Sequence, residues 1–171
     1  HLNVNTENPR FEPTADQKDS IHSMISDQAQ KIINLAENIA SYGLNPSELT
    51  IVSPSKSEKG FYNVLEGNRR LTALKLLGDP TLALPLHKTV ATKFKELAKK
   101  YKEVKKIQCV VFADPEEANH WIKLKHTGEN EGIGTVRWDS QQIARFEVST
   151  GGVSSIALQA IDFLKHSKET S

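Results

Sequence analysis

Two short stretches of this 171-residue sequence carry residue types at spacings that could do chemistry. The first is Glu66-Gly67-Asn68-Arg69-Arg70-Leu71-Thr72-Ala73, which reads as the end of a strand, a glycine and the opening turns of a helix. Backbone N–H groups at a helix start attract anions, and a glycine lets a phosphate approach the main chain closely. Arg69 and Arg70 add fork-shaped donors that match phosphate oxygens. Two cations beside the positive end of a helix dipole are locally unfavourable, and a bound polyanion would account for them. The plainer alternative pairs one arginine with Glu66 or another acid and leaves both on a solvated surface. The second stretch is His126-Thr127-Gly128-Glu129-Asn130-Glu131-Gly132-Ile133-Gly134-Thr135. An adjacent carboxylate and amide, Glu129 and Asn130, can hold a hard divalent cation such as magnesium through oxygen. The three glycines allow a loop that covers phosphate, although no Gly-Lys-Ser/Thr follows, so this is not a Walker A loop. An ordinary inter-helix loop is the alternative here. His120 and His126 lie six apart, a poor match to one helical face, so a zinc pair is not expected.

The elements that must position these residues follow from periodicity. Residues 1–13 are polar, with Pro9 and Pro13, and read as an extended arm. Ile21, Met24, Ile25, Gln28, Ile32, Leu35, Ala36 and Ile39 recur at helical steps, with Gly43 as C-cap and Pro46 as stop. Leu49–Val52 and Phe61–Leu65 read as two strands of a hairpin around a polar loop, and Gly67 ends the second. Arg69–Leu77 reads as a helix closed by Gly78-Asp79-Pro80. Val90, Phe94, Leu97, Tyr101 and Val104 mark another. Ile107–Phe112, a nearly continuous apolar run, is expected as a central strand. Asp114-Pro115-Glu116-Glu117 has the cap, proline and acids of a helix start. Trp138-Asp139-Ser140 opens a further helix, and Val153–Leu164 reads as the last one. The fold class expected is a small α/β (α+β) domain, a mixed sheet with surrounding helices.

Composition narrows the function classes. Hydrophobic residues are 37% and charged residues 25% of the chain, with 9 glycines and 7 prolines, enough for one core and unlike a disordered, collagenous or disulfide-rich chain. Cys109 is the single cysteine, which excludes an internal disulfide and a cysteine-built zinc site and makes a reducing, cytoplasmic setting the default. No apolar run approaches a membrane span and no signal-peptide pattern opens the chain. Beginning at His1, it reads as a piece of something longer. The net charge of +1 hides an asymmetry: the middle third is strongly basic between acidic ends, with Lys99, Lys100 and Lys102 in a lysine-rich helix. That pattern fits an anionic partner such as DNA, or simply a solvated helix face.

Taken in order, these segments resemble the N-terminal domain of the ParB/sulfiredoxin superfamily, in particular ParB-like partition proteins. The resemblance runs from Asn8-Pro9-Arg10 through Leu35–Leu44, the strand at Ile51-Val52, Tyr62–Leu65 leading into Gly67-Asn68-Arg69-Arg70, and Ala73 and Gly78. It continues through Val110-Val111 and Glu116-Glu117-Ala118 to Glu129-Asn130. It implies one domain over 1–147, with 148–171 beginning a helical segment that is absent here. It also implies a pocket for CTP or another NTP with magnesium, slow hydrolysis, and a homodimer that closes around DNA when nucleotide binds. Gly67, Asn68, Arg69 and Arg70 would then cradle the phosphates, Glu129 and Asn130 would hold magnesium, Arg137 would supply a further contact and Arg10 an entering one. A nucleoid- or plasmid-associated location follows from the same resemblance. The sequence departs from the family in Asn68, where a glutamate is usual, which bears on hydrolysis more than on binding. Six residues also separate Asn130 from Arg137, the helix around Lys99 and Lys100 looks inserted, and a complete helix-turn-helix is missing.

Two other functions compete. A metal-dependent DNA nuclease of the ParB-like class would need Glu66, Glu129 and Glu131 to converge. A nucleotide-independent module would hold DNA electrostatically through Lys99, Lys100 and Lys102. Sulfiredoxin-like phosphotransfer needs a cysteine in the arginine box, where Asn68 stands, and is set aside.

Overall fold

Tyr62, Val64 and Glu66 alternate with Asn63 and Leu65, and the strand they form pairs antiparallel with a β-branched partner. A computed structural model of the chain describes residues 1–153 together with Ile156 and Gln159. In it β2 (Thr50–Pro54) and β3 (Tyr62–Glu66) form the expected hairpin, with Val52 opposite Val64 and both almost fully buried. The sheet is mixed and four-stranded, in the order β1-β3-β2-β4, so the hairpin is its centre. This bears out the α/β (α+β) class with a small mixed sheet and surrounding helices.

Two expectations about the sheet are corrected. The arm is not free: Leu2–Val4 is strand β1, parallel to β3, with Val4 opposite Val64. Gln17 stitches it down, accepting from the Val4 N–H and donating to the Val4 carbonyl, each at 2.7 Å. The apolar run 107–112 is not central. It contributes only β4 (Cys109–Val111), an edge strand parallel to β2, with Val111 55% exposed. A run of β-formers cannot take the centre when the hairpin already occupies it and the second place beside β3 goes to β1.

The chain divides into two compact units, His1–Ile122 and Lys123 onward. In the first, α1 (Gln17–Tyr42) is capped by Asp16, whose carboxylate accepts from the Asp19 N–H at 2.9 Å, and ends at Gly43. It is kinked at Gln28, whose φ of −137° breaks the helical run. Helix α2 (Asn68–Gly78) follows Gly67, and a 3-10 turn over Pro80–Ala83 leads to α3 (Lys88–Ala98). Met24, Ile25 and Ile32 of α1, Leu76 and Leu77 of α2 and Phe94 of α3 are at most 2% exposed and form the core with Val52 and Val64. Truncating such a residue to alanine typically removes about 2–5 kcal/mol.

Helix α3 stops one and a half turns short of the expected Val104. The Val104 N–H donates to the Tyr101 hydroxyl at 2.9 Å instead of to a helical carbonyl. Lys95, Lys99 and Lys102 would also stand three and four residues apart on a continued helix and repel one another. Helix α4 (Pro115–His126) begins as expected, with the Glu116 N–H donating to Asp114 at 2.9 Å. In the second unit α5 (Ser140–Ser149) opens with a capping box between Asp139 and Gln142. The helix expected over Val153–Leu164, and with it most of segment 148–171, lies outside the described residues.

Candidate functional site

At Gly67 the chain turns from β3 into α2. Its φ of +103° is a conformation that side-chain-bearing residues rarely adopt, and a β-carbon there would stand 3.3 Å from the Thr50 side chain. No side chain caps α2, so the leading N–H groups lack the acceptor that Ser, Asp or Asn supplies at other helix starts.

Asn68 faces inward and is 5% exposed. Its amide nitrogen donates to the Val64 carbonyl at 2.9 Å and the Leu65 carbonyl at 3.4 Å, and its oxygen accepts from the Asn5 N–H at 2.8 Å. This side chain ties β3, α2 and the chain leaving β1 together. That role also explains an amide at this position, since a carboxylate could not donate to Val64.

The two arginines reach different elements. Arg69 is exposed, and its Nη1 donates to Gln28 Oε1 at 3.1 Å, at the kink of α1. Arg70 Nη1 donates to the Glu48 carbonyl at 2.9 Å and the Thr50 hydroxyl at 3.4 Å, while Nη2 forms an ion pair with the Glu48 carboxylate. Only 11% of the Arg70 side chain is exposed against 52% for Glu48. Arg70, Glu48 and Lys106 line a cleft of about 280 Å³ whose apolar wall includes Leu44, Leu49 and Ile107. The first unit thus places Arg70 and a second cation, Lys106, around one small cleft, with Arg70 already holding an oxyanion. Arg10 is exposed, and its backbone N–H donates to the Asn8 side chain at 3.1 Å.

In the second unit Glu129, Asn130, Glu131 and Arg137 are all exposed. Asn130 and Glu131 have φ of +45° and +55° in a 3-10 turn over Asn130–Gly132. The Glu129 carbonyl accepts from Gly132 at 3.0 Å and Gly134 at 2.8 Å, and Asn130 Nδ2 donates to Thr127 Oγ1 at 2.7 Å. Gly134 is obligatory, since a β-carbon there would fall 1.9 Å from the Gly128 carbonyl oxygen. This donor set, one carboxylate and one amide oxygen, suits magnesium that keeps water and phosphate ligands and does not suit an all-protein cage. Among the described residues no group of three or more His, Cys, Asp and Glu side chains could hold a metal ion.

Lys99, Lys100 and Lys102 are exposed at and beyond the end of α3. Lys99 is paired with Glu96 at 2.7 Å, and this hydrogen bond, then the charge of Lys99, holds the Glu96 carboxyl below its usual range. Lys93 is paired with Glu37 at 2.8 Å.

The residues that sequence reasoning missed are the partners. Gln28 was legible as a polar side chain on an otherwise apolar helical stripe. Glu48 and Thr50 had no local signal, because their roles arise only when β2 is laid beside the β3–α2 junction. Comparison with family models, with curated proteins and with solved structures finds no match to this chain.

Proposed function

We propose that the chain is a ParB-like nucleotide- and DNA-associated module that binds a nucleoside triphosphate, CTP by resemblance, at the Gly67–Arg70 junction. The observation that carries this reading is the uncapped start of α2 behind a left-handed Gly67, beside a nearly buried Arg70 whose guanidinium already grips a carboxylate. A phosphate presents the same paired oxygens with more charge, so it would displace Glu48 from Arg70. Arg69 would leave Gln28 to join it. Glu129 and Asn130 would take part through phosphate-bound magnesium, which when bound neutralises the phosphate charge. Arg137 would add a further contact. DNA would lie along the cations at Lys99, Lys100 and Lys102, and nucleotide would favour a homodimer. Among the described residues no helix is long and apolar enough to cross a membrane, in keeping with this partner set.

The test is calorimetry with CTP, ATP and GTP in the presence of magnesium. Loss of a charge-assisted contact predicts about 10- to 100-fold weaker CTP binding in Arg70→Ala. Glu48→Gln frees the guanidinium and should tighten binding several-fold. If Arg70→Ala lowers stability while nucleotide affinity stays unchanged, Arg70 is a structural staple and the pocket is misassigned.

A further inference from the structure

A second cavity among the described residues has no part in the reading above. It measures about 570 Å³, within the range of small-molecule sites, and lies wholly within the first unit. Its floor is the helix-facing side of the sheet: Leu2, Tyr62, Val52, Cys109 and Val111 share one face by strand register. Its opposite wall is α2, where Leu71, Leu74, Lys75 and Gly78 are spaced to share one face. The irregular segment after α3 closes a third side with Tyr101, Val104 and Ile107, braced by the bond from the Val104 N–H to the Tyr101 hydroxyl.

One group in this apolar space is out of place. Lys75 is half-buried, and its ammonium makes no hydrogen bond or ion pair among the described residues. Burial accordingly pushes its pKa down. A cation so placed is ordinarily paired or turned out to water. Glu103 and Lys105 also line the cavity and cancel each other in charge, while Lys75 on the apolar wall and the amino group of His1 leave the lining net positive.

We propose that this cavity binds a small amphipathic monoanion, an apolar body bearing one carboxylate, whose body packs on Leu71, Leu74, Val52 and Tyr62 and whose carboxylate pairs with Lys75. The apolar lining selects the body, and the net positive charge, with Lys75 set into the apolar wall, selects an anion. A polyphosphate fits poorly, because a mostly apolar lining cannot replace the hydration of several charges. Leu71 lines this cavity while its neighbour Arg70 lines the smaller cleft, so the two sites would take separate ligands.

Decanoate is the probe, with decanol and decylamine as its uncharged and cationic counterparts, titrated into the full chain by calorimetry and by amide chemical shifts. The expected result is decanoate binding with shifts confined to α2, 101–111 and β3, and markedly weaker binding of the other two. Lys75→Met keeps the length of the side chain and should weaken decanoate at least about tenfold, while Lys75→Arg retains it. Lys75→Met should also raise Tm, which shows that the variant is folded. Leu74→Trp, which fills the cavity, should block decanoate without altering the effect of Arg70→Ala on CTP. The proposal is overturned by absence of decanoate binding at millimolar concentration, by decanol binding equally well, or by unchanged affinity in Lys75→Met.

Discussion

The Gly67–Arg70 junction and the Thr127–Gly134 loop both present glycine, amide and charge, yet they are built in opposite ways. At the junction the amide of Asn68 is buried and bonded to backbone that lies 3 to 63 residues away in sequence. In the loop the amide of Asn130 is exposed and bonds only to Thr127 and Gly128, two or three residues back. The first is therefore a tertiary joint, where β1, β3 and α2 meet, and the second a self-contained turn. An anion arriving at the junction meets a frame whose backbone is already fixed and whose arginines need only change partners. A ligand of the loop meets an Asn130 amide held, among the described residues, by the loop's own Thr127 and Gly128.

The largest test of this contrast compares the two asparagines. Asn68→Leu leaves the Asn5 N–H and the Val64 carbonyl without a partner, at about 1–3 kcal/mol for each buried group. Asn130→Ala removes an exposed local bond and puts alanine at φ of +45°, which should cost about 1 kcal/mol, less than Asn68→Leu. Urea unfolding of both variants measures the difference. Equal effects would mean that Asn68 is not the joint its bonds suggest.

Next in size is Gly67→Ala. The strain of a side chain at φ of +103°, with Thr50 at 3.3 Å, predicts about 1–3 kcal/mol of destabilisation. CTP affinity should fall with it, because the start of α2 shifts. A variant that keeps full stability would show that the turn can relax, and that glycine serves there for ligand access alone.

How far the sequence could be read follows the same division between local and tertiary. The hairpin, the closing of α1 at Gly43 and the starts of α4 and α5 were legible because each is set by neighbouring residues: Asp139 with Gln142, Asp114 with Pro115 and Glu116. The place of β4 was not, because edge or centre depends on which strands compete for the hairpin, and the three residues of β1 carry too short a pattern to announce themselves. The arginine box was legible as a motif. Its wiring was not: Glu48 lies 22 residues before Arg70, and Gln28 lies 41 before Arg69.

A third test reaches the core behind the junction. His22 of α1 is 6% exposed, neither ring nitrogen has a hydrogen-bond partner, and its ring lies 5.3 Å from that of His87. Burial first, then the charges of His87 and Lys18, lower its pKa against the opposing pull of Asp19 and Asp16. The fold therefore prefers neutral His22, and the unfolded chain binds more protons once pH falls through the ordinary imidazole value of about 6.5. Stability contributed by this group is present above that value and declines as pH drops below it. Urea midpoints at pH 7.5 and 5.5 should differ less for His22→Leu than for the wild type, and equal differences would remove His22 as the cause.

The smallest expected effect separates the lysines. Lys99 shares its ammonium with Glu96, an exposed pair that water screens, so Lys99→Ala should barely move Tm. The same pairing bears on DNA. A phosphate must compete with Glu96 for Lys99, whereas Lys100 and Lys102 form no ion pair among the described residues. If DNA lies on this surface, removing Lys100 or Lys102 should each reduce the slope of log affinity against log salt by about 1, and removing Lys99 by less. Glu96→Gln should then bring Lys99 level with its neighbours. Three equal slopes in the wild-type background would mean that the Lys99–Glu96 pair opens freely, and no change in any slope would place DNA elsewhere on the molecule.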